Sequence, residues 1–180
     1  FGSSGKVARL HCCVLVIAAM AFRLSRRLLQ NNLHVLKDAA TYEQLKMTTP
    51  KMLVGWFSAH FSGASKMYES QFDAMAKSYP QYTFFKCDVD SAPTVAYDAE
   101  VDDAPMVVMM PLGLKEDGTH YDKSDWQMVK APTCKYDKLI PDAKAVIDSY
   151  KFKGGEDLSA RGPWKFDPLT GGTLPPHQTY

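Results

Sequence analysis

The residues best suited to chemistry are four cysteines, five histidines and a pair of serines near the middle of the chain. The cysteines are Cys12, Cys13, Cys87 and Cys134, and none of them forms a Cys-x-x-Cys pair or a zinc-ligand spacing with histidine. Those spacings are the usual sequence signs of a redox pair or a zinc site. We therefore predict neither a disulfide framework nor cysteine-based catalysis.

The serine pair lies in the segment FSGASK, where Ser62 and Ser65 flank a glycine and an alanine. Ser62 is close to His60, but a serine hydrolase needs a serine, a general base and an orienting acid within hydrogen-bond reach. The sequence contains no Gly-x-Ser-x-Gly elbow. We therefore interpret Ser62 as the N-cap of a following helix rather than as a nucleophile.

The acidic and histidine residues do not suggest a metal site. Asp88, Asp90, Asp102 and Asp103 fall where strand ends and loops are predicted, and the histidines are scattered along the chain. Calcium or zinc sites need several such ligands brought together at regular spacing. We predict no metal and no cofactor.

Strand and helix patterns alternate from residue 40 onward. The run MLVGWFS is continuously apolar, which is typical of a strand buried on both faces. Lys115-Glu116-Asp117-Gly118 predicts a hairpin turn that leads to a strand near His120, and residues 121–139 are predicted to be an insertion. The other predicted elements are a strand at Met52–Ser58, a helix over Ser65–Tyr79, a strand at Tyr82–Val89, a short helix within 92–101, a strand at Met106–Met110 and a helix over Pro141–Tyr150.

This order of elements over about residues 45–150 resembles the thioredoxin family. The resemblance rests on the segment 62–65 (Ser62, Gly63, Ala64, Ser65) at a helix start and on Ala104-Pro105 before the hairpin. It implies an α/β fold with a thioredoxin-like central mixed sheet flanked by helices. The redox motif of the family is Trp-Cys-Gly-Pro-Cys-Lys; Gly63 and Lys66 match it here. Pro105 takes the position of the family's cis-proline.

The resemblance also implies a loss of chemistry. In the family, a helix N-terminus lowers the pKa of one cysteine, whose thiolate attacks a disulfide, and the second cysteine resolves the mixed disulfide. Ser62 and Ser65 take both cysteine positions, and Trp56 takes that of the family's buried acid. A serine hydroxyl is un-ionised near neutral pH and forms no stable counterpart of a disulfide. We therefore predict a redox-inactive member with no catalytic residue.

The N-terminal segment differs in charge from the rest of the chain. The total of 21 basic and 20 acidic residues gives a net charge of +1, which does not favour specific nucleic-acid binding. Six of the 21 basic residues lie within residues 1–37, which contain no acid. This pattern is typical of mitochondrial targeting sequences.

An apolar run of 13 residues, Leu10–Phe22, lies within this basic segment. It is shorter than the roughly 20 residues that cross a bilayer, but residues 7–24 form a marginal single span with arginines near both ends. The alternative is a helix buried against a partner protein. The residues expected to face lipid or a partner helix are Leu10, Val14, Ile17 and Phe22.

The C-terminal segment is rich in glycine and proline, which excludes long helices and central strands. Trp164, Phe166, Leu169 and Tyr180 are interleaved among these turn formers and are predicted to anchor an extended arm along a partner's surface. The predicted organisation is therefore an N-terminal hydrophobic helix in residues 1–40, a thioredoxin-like domain in residues 41–153 and an extended tail in residues 154–180.

These features predict a structural accessory subunit of a large mitochondrial inner-membrane assembly. Respiratory complex I is the first candidate, with mitochondrial ATP synthase and the mitoribosome as alternatives, by analogy with large complexes that recruit thioredoxin-fold subunits. The expected partners are other protein subunits, and lipid contact through the N-terminal helix is left open. The second interpretation is a membrane-anchored thioredoxin-like oxidoreductase or chaperone of the secretory pathway.

Overall fold

The computed structural model describes residues 32–131, 135–154 and 162–178. The predicted membrane or partner helix, with Leu10, Val14, Ile17 and Phe22, lies outside the described residues, as does Tyr180. Within the described part of the chain, none of the helices combines the length and the apolar character that a membrane span requires.

Strands and helices alternate through the described residues. In chain order they are β1 (Leu33–Leu36), α1 (Ala39–Thr48), β2 (Met52–Ser58), α2 (Gly63–Ser78), β3 (Thr83–Asp88), α3 (Pro93–Asp98), β4 (Met106–Pro111), β5 (Gln127–Lys130), α4 (Leu139–Ser149), β6 (Lys165–Phe166) and β7 (Thr173–Leu174). Short 3-10 turns at Lys123–Asp125 and Tyr136–Lys138 precede β5 and α4.

Five of these strands form one mixed sheet in the order β1-β3-β2-β4-β5. Strands β1, β3 and β2 are parallel, whereas β4 and β5 pair antiparallel to their neighbours. Strand β2 lies at the centre, which explains why its sequence is apolar on both faces. The predicted α/β class with a central mixed sheet flanked by helices is confirmed.

The two faces of the sheet are covered by different helices because successive strand residues point to opposite sides. On one face, Leu53 and Phe57 of β2 belong to the same buried cluster as residues of α1 and α3. On the other face, Val54 and Trp56 join residues of α2 and α4. Each helix therefore buries one apolar stripe against the sheet.

Helix α2 carries the serine pair at its first turn. Ser62 is its N-cap, and the apolar positions Phe72, Met75 and Ala76 are buried at three- and four-residue spacing. The helix ends with Tyr79 as C-cap, just before a proline. Because the capped turn follows directly on the end of β2, the fold places the serines at the carboxyl edge of the parallel strands.

Two sequence expectations differ from the structure within the domain. The sheet begins at β1, before the predicted boundary at residue 41, and α1 was not predicted. The strand expected near His120 is only an isolated bridge to Leu114. A capped 3-10 turn follows the bridge, and the strand that pairs antiparallel with β4 comes only after this turn. That strand is β5, which lies inside the segment predicted to be an insertion.

The C-terminal segment packs against the thioredoxin-like domain of the same chain. Trp164 is partly buried and packs against the core cluster that α1 and α3 form with the sheet. Strands β6 and β7 pair antiparallel as a small hairpin. The expectation that all the tail aromatics need an outside surface is therefore wrong for Trp164, because the domain itself supplies an apolar surface for its ring.

Candidate functional site

The start of helix α2 is held by hydrogen bonds that involve both serines. The Ser62 hydroxyl accepts a hydrogen bond from the backbone N–H of Ser65 at 3.2 Å, which caps the helix. The Ser65 hydroxyl is buried and accepts from the backbone N–H of Ala59 at 3.4 Å. The Ser62 N–H donates to the Ala59 carbonyl at 2.9 Å. The two hydroxyls therefore stabilise the turn between β2 and α2.

The Ala104–Pro105 peptide bond is cis, as the family resemblance implies, and Pro105 is buried directly before β4.

Two large apolar side chains next to the capped turn are exposed. Phe61, directly before the N-cap, is 83% exposed, and Met67 in the next turn of α2 is 67% exposed. The surface next to the serine pair thus offers large apolar side chains to solvent.

Behind the helix start, the buried position expected for an acid is occupied by Trp56. Its side chain is 1% exposed, and its ring lies 5.4 Å from that of Phe72 of α2. Its indole Nε1 finds no hydrogen-bond partner among the described residues. An indole cannot accept a proton as a carboxylate would, so this position supplies packing and no acid–base chemistry.

Cys87 of β3 lies near the same edge of the sheet but is poorly suited to thiol chemistry. Its side chain is buried, and burial together with the charge of Asp88 raises the pKa of the thiol to about 12. The thiolate is the reactive form, so Cys87 is inert near neutral pH. Its sulfur contacts the Asp88 carbonyl at 3.7 Å.

An open cleft of about 600 Å³ lies beside the first turn of α2. Its wall includes Leu36, Lys37, Ser65, Lys66, Lys86 and Cys87. Lys86 is held across the cleft wall by Glu69 at 2.7 Å and by Asp73 at 3.2 Å. Burial lowers the pKa of Lys86, but the hydrogen bonds and charges of these two acids outweigh it and raise the pKa. The lysine therefore stays charged and paired.

The described residues at this edge can therefore cap a helix, pair charges and contact another molecule. Within the described ranges, no group of three or more histidine, cysteine or acidic residues is arranged to hold a metal.

A family model for thioredoxin matches residues 32–131, which is more than half of the chain. The chain belongs to the thioredoxin family. It is 33% identical to thioredoxin-2 of Saccharomyces cerevisiae over 73 aligned residues. The aligned region covers 41% of this chain and 70% of that protein. The chain is 28% identical over 74 residues to mitochondrial thioredoxin-3 of the same yeast, with coverages of 41% and 58%.

Solved thioredoxin structures also match. The oxidised form of mitochondrial thioredoxin 3 from Saccharomyces cerevisiae aligns with a TM-score of 0.44 and 26% identity, over 61% of this chain and 94% of that chain. Thioredoxin from Fasciola hepatica aligns with a TM-score of 0.48 and 23% identity, over 66% of this chain and 99% of that chain.

The predicted site residues of this thioredoxin-family chain lie in separate parts of the described structure, at the start of α2 and in the C-terminal segment. Ser62, Gly63, Ala64 and Ser65 form the cap and first turn of α2. Phe166 and Leu169 of the tail are 67% and 86% exposed, whereas Trp164 is not. The partner-binding role predicted for the exposed pair stays a prediction.

A buried polar cluster between α1, α3 and β7 was not predicted from the sequence. Lys46 is fully buried and contacts Asp98 and Thr173. A signal was available, since Tyr42, Leu45 and Lys46 have the spacing of one helical face, and a lysine on an apolar face needs a buried partner.

Proposed function

We propose that this thioredoxin-family protein has no thiol–disulfide exchange activity at its α2 start and acts as a binding and scaffolding module. The observation that carries the proposal is the serine pair at the first turn of a 16-residue helix, where Ser62 caps the helix and Ser65 is buried in the turn. Both hydroxyls serve the fold, and neither can form a disulfide.

Three features support this proposal together. Disulfide exchange needs a thiolate, a resolving thiol and a group that takes up the proton. Ser62 and Ser65 supply neither thiol, and Trp56 supplies no carboxylate. Cys87 is buried, and its pKa is raised to about 12 by burial and by Asp88, so it does not replace them.

The test is an insulin-reduction assay with dithiothreitol. We expect the wild-type chain to match the blank without protein, and a Ser62→Cys/Ser65→Cys variant to reduce insulin measurably, because the helix N-terminus lowers the pKa of a cysteine there. Turnover by the wild type above the blank that persists in a Cys87→Ala/Cys134→Ala variant would overturn the proposal.

We further propose that the protein is an accessory subunit of a mitochondrial inner-membrane assembly, with respiratory complex I as the first candidate and ATP synthase and the mitoribosome as alternatives. The acid-free basic segment in residues 1–37 supports a mitochondrial location, as does the likeness to a yeast protein named a mitochondrial thioredoxin. The apolar run Leu10–Phe22 supports attachment to lipid or to partner helices.

A tagged full-length chain, expressed in its own cells and extracted in mild detergent, tests this location. We expect it to migrate with a high-molecular-weight assembly on native gels, and mass spectrometry of co-purifying subunits then identifies the complex. The matched variant is residues 32–180, which keeps β1 and the whole described domain. The shortened chain receives a separate mitochondrial targeting sequence so that it reaches the same compartment. If the chain of 180 residues runs as a free monomer, or if the shortened chain joins the assembly to the same extent, attachment through residues 1–31 is wrong.

A peptide-binding role in the secretory pathway is the second candidate. The exposed Phe61 and Met67 beside the capped turn favour it, because large apolar side chains on a surface are typical of contact sites. A Phe61→Ser/Met67→Ser variant should then lose the ability to slow aggregation of an unfolded test protein. Equal protection by variant and wild type, or no protection by either, removes this candidate.

A further inference from the structure

The C-terminal segment 162–178 lies against α1 and α3 over a buried ion pair. The side chain of Lys46 in α1 is 0% exposed and that of Asp98 at the end of α3 is 9% exposed. Their Nζ and Oδ2 atoms are 3.1 Å apart. Burying two charges is costly unless their other hydrogen-bonding positions are also filled, so the source of the remaining bonds matters.

Thr173 of β7 supplies three of those bonds. Its backbone N–H and its hydroxyl donate to Asp98 Oδ1 at 2.7 Å and 2.9 Å, and the same hydroxyl accepts from Lys46 Nζ at 2.7 Å. The Tyr42 hydroxyl donates to Asp98 Oδ2 at 3.0 Å. Glu43 Oε1 lies 2.8 Å from Lys46 Nζ, and Lys123 Nζ lies 3.6 Å from Asp98 Oδ1. The C-terminal segment therefore fills hydrogen-bonding positions of the Asp98 carboxylate that the ion pair alone leaves open.

Two adjacent glycines fit the segment to this pair. Gly171 has a φ of 74°, in the left-handed region that glycine adopts without strain. A Cβ at Gly172 would lie 2.8 Å from Lys123 Nζ and 3.1 Å from Asp98 Oδ1. Any larger residue at position 172 would have to displace the charged groups under it.

Contacts extend to both ends of the segment. The Trp164 ring lies 5.8 Å from that of Trp126 and 4.4 Å from Lys46 Nζ. At the other end, His177 Nε2 is 2.9 Å from Asp122 Oδ1, and its ring stacks on His120 at 4.3 Å. The segment is therefore fixed at its centre by polar bonds and at its ends by rings.

We propose that α1 and α3 form a binding site for a β-hairpin, and that residues 162–178 of the same chain occupy it as a latched strap. Lys46 and Asp98 recognise Thr173, and the absence of a side chain at Gly172 permits the approach. Release of the strap uncovers this ion pair and the apolar surface under Trp164, so the bound strap closes this face of the domain to other molecules. This binding site does not depend on whether the domain lacks thiol–disulfide exchange activity or on whether the protein belongs to a larger assembly.

The test uses the full chain with a protease site inserted within residues 155–161 and an affinity tag at the C-terminus. After cleavage, we expect the tagged strap to retain the rest of the chain on the resin. Asp98→Asn and Gly172→Ala should each speed its loss at least tenfold. Gly154→Ala is the matched glycine control, because a Cβ there would meet nothing within 4 Å, and Thr94→Val on the exposed side of α3 controls for changes to that helix.

Hydrogen exchange on the uncut chain provides the second measurement, because Gly172→Ala changes only the strap. The Thr173 amide donates to Asp98, so its exchange should be slow in wild type and fast in Gly172→Ala, while the amides of β2 remain protected in both. The proposal is overturned if the wild-type strap separates on cutting, or if both variants retain it as wild type does. It is also overturned if light scattering finds an uncut dimer that Gly172→Ala converts to monomer, since the strap would then belong to a second copy.

Discussion

The Ser62 hydroxyl and the Ser65 backbone nitrogen lie 3.2 Å apart, and this hydrogen bond closes the first turn of α2. The position for which we propose the loss of a reactive thiol therefore carries a helix cap. A thiol is a weak hydrogen-bond acceptor and caps less well than a hydroxyl. Ser62 thus contributes to the stability of the helix start, in keeping with the proposed structural role of this turn.

Removal of this cap should destabilise the domain. We expect Ser62→Ala to lower the free energy of unfolding by about 1 kcal/mol, because an unsatisfied N–H replaces the capped one. Ser70→Ala, at an exposed position inside the same helix, should be neutral or slightly stabilising, because alanine is the better helix former. Urea unfolding followed by circular dichroism measures both. A Ser62→Ala loss no larger than that of Ser70→Ala would contradict the capping role.

Cys87 should be almost unreactive in the folded protein. A pKa of about 12 leaves roughly a thousandth of the thiolate that an ordinary cysteine has at pH 8. In a Cys12→Ala/Cys13→Ala/Cys134→Ala variant, labelling by an aromatic disulfide reagent should be slower than that of a free thiol by at least about fiftyfold, because the higher nucleophilicity of a high-pKa thiolate only partly offsets its low fraction and the side chain is buried. Unfolding in guanidinium should restore one full equivalent. Rapid labelling of the native variant would show that Cys87 is accessible as a thiolate.

The sequence predicts the central elements well because their patterns are local. Each of these elements can be predicted from its own residues alone: β2 and β4 from their apolar runs, and α2 from the helical spacing of its apolar residues. Strand β1 is only four residues long and follows a basic segment, while α1 presents Lys46 on its buried side. Strand β1 is too short for a periodic pattern, and the lysine interrupts the apolar face of α1, so neither element was predicted.

The strap could not be predicted because its partners are distant in sequence. Thr173 bonds to Asp98 and Lys46, and Trp164 packs near Trp126, across long stretches of intervening chain. Composition predicts a segment without long helices, and the described residues 162–178 contain none, yet composition cannot say whether the apolar side chains cover this domain or another molecule. The serine pair, by contrast, could be placed at a helix start from its local sequence.

Two glycines in the domain should respond in opposite ways to the same substitution. A Cβ at Gly55 in the centre of β2 would clash with Phe85 Cζ and would lie 2.8 Å from Phe57 Cε2. Both rings are fully buried, so Gly55→Ala should cost about 1–3 kcal/mol through overpacking. A Cβ at Gly63, in the first turn of α2, would meet nothing within 4 Å, so Gly63→Ala should be neutral or stabilising. Thermal unfolding of the two variants checks the contrast, and equal melting temperatures would contradict it.

The Asp98 carboxylate should make the stability of the strap-bound domain depend on pH. Burial raises the pKa of this carboxyl, but Lys46 and Lys123 and the hydrogen bonds from Thr173 and Lys46 outweigh burial and lower the pKa below its ordinary value. Because the folded pKa is depressed, the stabilisation is fully present above the unfolded pKa of about 3.9 and is lost as the pH falls through the folded value. Asp98→Asn should cost about 3 kcal/mol at pH 7, since it breaks a buried pair. In the variant, Lys46 Nζ still has Glu43 Oε1 at 2.8 Å, which limits the loss of stability.

Urea unfolding at pH 7 and at pH 3 measures the difference in stability between wild type and the Asp98→Asn variant, with Asp90→Asn as the exposed control. The difference should shrink at the lower pH, and one that stays constant or grows would show that the charge of Asp98 does not stabilise the fold.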